Sequence, residues 1–196
     1  VDIVVVDTGI APDHPEFARN RDGTGGTRVV DFNWYSLGVP GAPTGASIGG
    51  YMGDGDGHGS NCASIAAGNT CGWASKANIY SIRIFAGYSI RTGQYLPAIN
   101  SDIAYDLVRA FHLQKVAQGI KRPTVCTNSW GYYATYTGIT ATYYRGTFYP
   151  GTSTNVAYGQ VNYYHPYSGV EYLNQSVNNC ADAGVILVGA AGNYHH

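Results

Sequence analysis

The chain has 196 residues, enough for one domain with a sizeable hydrophobic core. Charged residues make up only 12% of it, about half the usual share, and the formal net charge is −1. These numbers exclude a basic surface for nucleic acid, and no apolar run is long enough to span a membrane. The low charge, together with 27 Gly and 18 Tyr residues, favours an extracellular or virion-associated protein over a cytoplasmic one.

Short apolar, β-branched runs alternate with helical patterns along the chain, as is typical of an α/β domain with a mostly parallel sheet. The predicted strands cover residues 2–6, 27–32, 77–85, 124–129 and 185–190. The predicted helices cover residues 59–67, 97–118 and 170–180. We expect Gly68, Gly119 and Gly184 to end these helices.

Two segments interrupt this pattern. Residues 33–57 are rich in Gly and Pro, which indicates a loop. Residues 132–169 contain ten Tyr residues and almost no Lys, Asp or Glu, and they are too long for a bare connection. We expect an inserted hairpin or an ordered surface excursion there, which either contacts a substrate or partner or packs only on its own domain.

The first predicted strand runs directly into Asp7, which a Thr-Gly turn follows. Ligands gather at the carboxyl ends of parallel strands, so Asp7 is a candidate functional carboxylate. The same strand–Asp–turn pattern occurs in nucleotide-binding and phosphoryl-transfer domains. This segment alone therefore does not identify a reaction.

His58 lies between two glycines at the start of a predicted helix of small residues. A helix N-terminus disfavours a protonated imidazole, whereas a neighbouring carboxylate favours it and fixes the tautomer. The glycines allow backbone or substrate to approach the ring closely. A catalytic His is one interpretation of this pattern, and a helix-capping or core His is the other.

The last predicted strand ends in small residues, and Asn193 follows them. Small side chains leave the space that a substrate pocket requires, and the Asn amide can donate a hydrogen bond to a developing oxyanion. An Asn in an ordinary turn after a strand is the other interpretation.

In this order the three segments resemble the motifs of the subtilisin-like serine protease (subtilase, peptidase S8) family, whose catalytic residues follow each other as Asp, His and Ser. The segments that carry the resemblance are Asp7-Thr8-Gly9, His14-Pro15-Glu16-Phe17, His58-Gly59-Ser60 with Ala63, and Ala190-Ala191-Gly192-Asn193. The resemblance covers the chain apart from residues 33–53 and 132–169.

Three positions qualify the resemblance. Ser64 replaces the usual Gly of the His motif, and Trp130 stands where Leu is common. Cys62 resembles the proteinase K-like branch of the family, in which a thiol lies beneath the catalytic His.

The resemblance implies a three-layer α/β fold with helices on both faces of the sheet, incomplete at its C-terminal end. It also implies a serine endopeptidase that acts on a polypeptide substrate. Asp7 would orient His58, His58 would accept the proton of a Ser hydroxyl, and Asn193 would stabilise the oxyanion.

The family resemblance also supplies candidate substrate-binding residues, which would hold an extended peptide by strand addition. These are Gly93, Tyr95, Ser129, Trp130, Gly131, Ala191 and Gly192. Trp130 and the Tyr-rich segment would favour apolar or aromatic substrate side chains.

The nucleophilic Ser of this family follows the oxyanion Asn, so we expect it beyond residue 196, on a later segment or on a separate polypeptide. Ser153 lies in a Gly-Thr-Ser sequence, but it precedes the oxyanion segment and lacks the helix that should follow. We therefore do not expect Ser153 to be the nucleophile, and we expect the isolated chain to be inactive. A catalytically silent subtilase-like module with an architectural or binding role is the alternative.

No cofactor is predicted. His58 and Cys62 are four residues apart, with Asp7, Asp54 and Asp56 as further potential ligands, but no second His or Cys cluster supports zinc. The Gly-Asp run at residues 53–57 lacks the terminal Glu of a calcium loop and indicates a flexible approach to His58.

Structural calcium is common in subtilases, and Glu16 falls where one calcium ligand often lies. The remainder of such a site is not recognisable in the sequence. The four Cys residues show no pairing pattern, so we expect buried free thiols, with one disulfide left open.

Overall fold

The computed structural model describes residues 1–42, 53–89, 92–131, 133–136, 141–144, 146–150, 163–166 and 171–191. It divides into two compact units. The first comprises Val1–Ser129 with Tyr172–Gly189, and the second comprises Trp130–Glu171 with Ala190–His196.

Before its last helix and strand, the described part of the first unit holds nine strands and α-helices. In chain order these are β1 (Asp2–Asp7), β2 (Gly9–Ile10), β3 (Gly53–Asp54), α1 (His58–Ala67), β4 (Asn78–Arg83), β5 (Gly87–Tyr88), β6 (Tyr95–Leu96), α2 (Ser101–Ala117) and β7 (Thr124–Asn128). The second unit contributes β8 (Tyr133–Tyr136), β9 (Ala141–Tyr144), β10 (Thr147–Pro150) and β11 (Tyr163–Pro166). The chain then forms α3 (Glu171–Asp182) and β12 (Ile186–Gly189).

A four-stranded parallel sheet forms the centre of the first unit, in the order β12-β7-β1-β4. All six residues of β1 are buried, as a hydrophobic run between two sheet neighbours requires. The predicted strands at residues 2–6, 77–85, 124–129 and 185–190 are therefore confirmed. In β12, which lies at one edge of the sheet that the described strands form, Ile186 and Val188 are exposed.

Helices cover both faces of this sheet, which confirms the α/β fold class. On one face Ile3 and Val5 pack with Ala63 and Ala67 of α1. On the other face, the ring of Phe111 in α2 lies 4.7 Å from that of Tyr80 in β4. Alternate residues of each strand point to opposite faces, so one buried strand can pack against both helices.

The connections reverse direction at β1. The chain passes from β1 through α1 to β4 on one side, then through α2 to β7 on the other side of β1. In open parallel sheets such a reversal leaves a crevice at the carboxyl ends of the two strands, where ligands bind. Here that crevice lies beyond Asp7 and Asn128.

The strand predicted at residues 27–32 is wrong. Val29 makes only an isolated parallel bridge to Ile79. Two backbone hydrogen bonds form this bridge, from the Val30 amide to the Ile79 carbonyl oxygen at 2.7 Å and from the Ile79 amide to the Arg28 carbonyl oxygen at 3.1 Å. Among the described residues the pairing extends no further, so the segment is not a regular strand.

The predicted loop at residues 33–57 is partly ordered by short elements, and residues 43–52 lie outside the described residues. Trp34–Leu37 forms a 3₁₀ turn, in which the buried Trp34 indole donates to the Ser81 carbonyl oxygen at 3.0 Å. Near the C-terminal end of residues 33–57, β3 pairs antiparallel with β2.

The second unit contains the Tyr-rich segment. There β9 and β10 form an antiparallel hairpin, and β8 pairs antiparallel with β11. The role predicted for the Tyr-rich segment, a contact surface for a substrate or partner, stays a prediction. Within the described part of the chain, no helix is both long and apolar enough to cross a membrane.

Candidate active site

Asp7 and His58 come together at the end of β1. Asp7 is the last residue of that strand and His58 is the first residue of α1. His58 Nδ1 lies 2.8 Å from Asp7 Oδ1, and the Thr8 amide donates to the same oxygen at 2.7 Å. Because Nδ1 is engaged by the carboxylate, Nε2 is the ring nitrogen that remains to take up a proton.

The hydrogen bond to Asp7 raises the pKa of His58. Burial opposes this shift, while the negative charges of Asp7, Asp56 and Asp54 add to it. A carboxylate in direct contact favours the imidazolium, whereas the helix N-terminus disfavours it.

Asp54 links the loop before α1 to the helix and to β1. Its Oδ1 accepts from the Thr8 hydroxyl at 2.8 Å and from the Gly57 amide at 2.9 Å. The same oxygen accepts from the Asp56 amide at 3.1 Å, and Oδ2 accepts from the Ser60 amide at 2.8 Å. The interpretation of residues 53–57 as a flexible approach is thus wrong, because a buried carboxylate fixes the turn.

Strand and helix also meet through their backbones. The Gly59 amide donates to the Thr8 hydroxyl at 2.8 Å, and the Ala11 amide donates to the Ser60 hydroxyl at 3.0 Å. A Cβ on Gly59 would lie 2.2 Å from the Gly9 carbonyl oxygen. The glycine after His58 is therefore required by the close approach of α1 to the turn after β1.

Cys62 lies one helical turn after His58. Its Sγ is 3.8 Å from Nδ1 and 4.0 Å from Nε2 of the ring, in the position that the resemblance implied. Burial raises the pKa of the thiol, the Ser129 side chain opposes this by a hydrogen bond, and the charges of Asp7 and Asp54 add to it. Cys62 is accordingly a neutral thiol at neutral pH.

Asp7, His58 and Cys62 are the one group of three potential metal ligands among the described residues, with ligand atoms within 4.8 Å of one another. In the arrangement seen here, Asp7 and His58 are bonded to each other and the thiol is protonated. A metal would have to displace both protons to bind.

Glu16, which falls where a calcium ligand often lies in the family, is hydrogen-bonded to Thr70. Its Oε2 accepts from the Thr70 amide at 3.0 Å, and its Oε1 accepts from the Thr70 hydroxyl. These hydrogen bonds lower the pKa of Glu16. Both carboxylate oxygens are thus occupied by donors of the chain itself.

The cysteine prediction holds for two of the four positions. All four cysteines are free, and Cys126 and Cys180 are buried. Burial raises the pKa of Cys180 to about 12. Cys71 is exposed and Cys62 is partly exposed, so for these two the expectation of burial is wrong.

The predicted substrate residues Gly93 and Tyr95 lie in and after the turn between β5 and β6. The exposed rings of Tyr88 and Tyr95 pack edge to face, with centroids 5.4 Å apart. A Cβ on Gly55 would lie 3.2 Å from the Cα of Gly87, so this hairpin packs beside the turn that leads to His58.

The remaining predicted site residues have different outcomes. Ser129 directly follows β7 in the first unit, and its side chain lies close enough to Cys62 to lower the pKa of that thiol. Trp130, Gly131 and Ala191 belong to the second unit. Gly192, Asn193 and Ser153 lie outside the described residues, so the convergence of Asn193 with His58 stays a prediction.

Sequence reasoning named Asp54 only as a potential metal ligand and Thr8 only as part of the Asp motif, and it missed the hydrogen bond between them. For Asp54 a signal was present, because the first amides of a helix lack intrahelical partners and a nearby Asp side chain can accept from them. Thr8 follows Asp7 directly, and its hydroxyl can bond to neighbouring backbone.

The chain was also compared with known proteins. The model of the subtilase family (Peptidase_S8) matches residues 1–195. Alkaline protease 1 of Emericella nidulans is 34% identical over 96 residues. Those residues are 49% of this chain and 19% of that protein, so the match spans about a fifth of the relative's length.

Proposed function

The chain belongs to the subtilase family, and on this premise we propose that it supplies part of the active site of a serine endopeptidase. The observation that carries the proposal is the 2.8 Å contact between Asp7 Oδ1 and His58 Nδ1. A buried carboxylate that fixes an imidazole tautomer is the arrangement a hydroxyl nucleophile needs from its base.

In the proposed reaction, His58 Nε2 accepts the proton of a Ser hydroxyl as the Ser oxygen attacks the peptide carbonyl carbon. Asp7 stabilises the resulting imidazolium. Asn193 donates a hydrogen bond to the tetrahedral oxyanion. The imidazolium then gives its proton to the leaving amine, and water hydrolyses the acyl-enzyme with His58 again as base.

We place the nucleophile outside residues 1–196, on a later segment of the same protein or on another polypeptide. Ser153 precedes the oxyanion segment, which is the wrong order for this family. The exposed Ile186 and Val188 on β12 support this placement, because the faces of a parallel sheet are usually covered by further elements.

The proposed substrate is an extended polypeptide that pairs with the chain by strand addition, through Gly93 and Tyr95 of the β5–β6 hairpin and through Ser129. The exposed Tyr88–Tyr95 pair supports a preference for apolar or aromatic side chains. A peptide library that showed a preference for acidic side chains would contradict it. Nucleic acid, membranes and cofactors have no part in this proposal, and we assign the protein to an extracellular or virion-associated setting.

Labelling of the full-length protein with a fluorophosphonate tests the proposal. We expect one labelled Ser, located by mass spectrometry beyond residue 196, and loss of labelling in His58→Ala. Ser153→Ala serves as the matched control and should label like the parent. A folded protein that does not label would support the binding-module alternative instead.

A further inference from the structure

We propose that Asp54, acting through the hydroxyl of Thr8, is the residue that positions the Asp7–His58 pair. Asp54 is 9% exposed and accepts four hydrogen bonds from three separate places: the end of β1, its own turn and the start of α1. Its catalytic consequences rest on the proposed function, whereas its effect on the geometry of the pair does not.

Asp7 and His58 belong to different elements, and the residues that directly follow them are Thr8 and Gly59. The Thr8 hydroxyl accepts from the Gly59 amide at 2.8 Å and donates to Asp54 at 2.8 Å. One hydroxyl therefore ties together the two chain segments that carry the pair.

A helix-capping role alone does not account for these contacts. A cap needs only the bonds that Asp54 accepts from the Gly57 and Ser60 amides at the helix start. The bond to Thr8 reaches back to the end of β1 and orients the hydroxyl, because a carboxylate can only accept. With its proton committed to Asp54, Thr8 turns a lone pair towards Gly59.

The loop provides a matched control in Asp56. It stands two residues from Asp54, is exposed, and uses only its backbone amide in the hydrogen bonds of the described residues. The charged groups that act on His58 are Asp7 from β1 and Asp54 and Asp56 from this loop, with the neutral Cys62 on α1. Neutralising Asp56 thus removes one charge without removing a side-chain hydrogen bond.

The test uses the full-length protein and the far-downfield proton resonance of His58 Nδ1–H, which reports the bond to Asp7 whether or not the protein is active. Variants are Asp54→Asn, Thr8→Val, Thr8→Ser and Asp56→Asn, each checked for folding by circular dichroism. We expect Asp54→Asn and Thr8→Val to lose or broaden the resonance. We expect Thr8→Ser to retain it, and Asp56→Asn to retain it while lowering the pKa of His58.

Peptidase kinetics give the second readout. We expect Asp54→Asn and Thr8→Val to lower kcat about 10- to 100-fold, with KM changed much less, because misplacing a base acts on the transition state. A full resonance and full kcat in folded Thr8→Val would overturn the proposal, even where Asp54→Asn fails to fold. Absence of peptidase activity in the parent would instead contradict the proposed function and leave the resonance to decide the role of Asp54.

Discussion

Asp7 Oδ1 lies 2.8 Å from His58 Nδ1, and the two side chains differ sharply in exposure. The Asp7 side chain is 1% exposed, whereas the His58 side chain is 49% exposed. The second carboxylate oxygen of Asp7, Oδ2, is buried and has no hydrogen-bond partner among the described residues. The negative charge is therefore balanced mainly through Oδ1, by the Thr8 amide and by the ring. This arrangement favours the protonated ring while leaving its other side open to the crevice.

The first prediction concerns pH. A general base must be neutral, and the bond to Asp7 raises the pKa of His58. We therefore expect kcat/KM to rise with pH through a pKa above the ordinary value for His. Asp7→Asn should move this acidic limb to lower pH and reduce kcat about 10⁴-fold, because the tautomer is no longer fixed. A pH profile of the full-length protein and of this variant checks both effects.

The raised pKa of His58 also determines the direction in which the stability of the folded protein changes with pH. A raised pKa in the folded state means that folding binds the proton on His58 more tightly. The stabilisation from the pair is thus fully present below the unfolded pKa of His and is lost as pH rises through the folded value. An NMR titration in which the ring of His58 takes up its proton below the ordinary pH would contradict both statements.

The second prediction compares two glycines that flank His58. In Gly59→Ala the new Cβ would meet the Gly9 carbonyl oxygen at 2.2 Å, so α1 must move away from β2. We expect a loss of about 1–3 kcal/mol in the free energy of unfolding and a weakened His58 resonance. Gly57→Ala meets no atom within 4 Å but has a φ of +99°, so it should cost about 1 kcal/mol and keep the resonance. Equal behaviour of the two variants would refute this distinction.

The sequence predicted the parts of the site that sit at the ends of regular elements. A buried hydrophobic run ending in Asp7 and a small-residue helix starting at His58 place both side chains at one sheet edge, since parallel strands end together. What the sequence did not reveal is the network around Asp54. A Gly-Asp-Gly-Asp-Gly run carries no periodicity, and only the folded chain shows which of its two carboxylates is buried.

The wrong strand at residues 27–32 has a similar origin. Its apolar residues fit a strand, but Arg28 is buried and donates to the Ala18, Glu16, Ala67 and Ala77 carbonyl oxygens. A buried guanidinium must find such acceptors, and they come from several loops. These long-range partners bend the segment away from a regular ladder, and no local pattern encodes them.

The third prediction concerns the buried ion pair at the start of β1. Lys115 Nζ lies 2.6 Å from Asp2 Oδ2, and their side chains are 5% and 0% exposed. Lys115→Met leaves the Asp2 carboxylate without this partner, so we expect a loss of about 3–5 kcal/mol in the free energy of unfolding. Arg122 also contacts Asp2 but is 48% exposed, and Arg122→Met should cost less than about 1 kcal/mol.

The pH dependence of this pair has the opposite sign to that of His58. Burial raises the pKa of Asp2, but hydrogen bonds from Lys115, Asn78 and Arg122 outweigh it and lower the pKa. The contribution to stability is present above the unfolded pKa of Asp and is lost as pH falls through the lowered folded value. Denaturant unfolding of parent and Lys115→Met at neutral and acidic pH should show the two curves converge in acid. A constant difference would count against the pair as its cause.

The last prediction concerns Asn193, the proposed oxyanion donor. Asn193→Ala should lower kcat about 10²- to 10³-fold. KM should change little, because the hydrogen bond forms with the tetrahedral oxyanion and not with the bound substrate. The matched control is Asn178→Ala, which removes the same side chain from an exposed position of α3 and should leave kcat within about twofold, as surface changes usually do. Steady-state kinetics on a peptide amide substrate measure both. An Asn193→Ala enzyme that keeps its kcat but loses affinity for substrate would assign this residue to ground-state binding and remove it from the proposed mechanism.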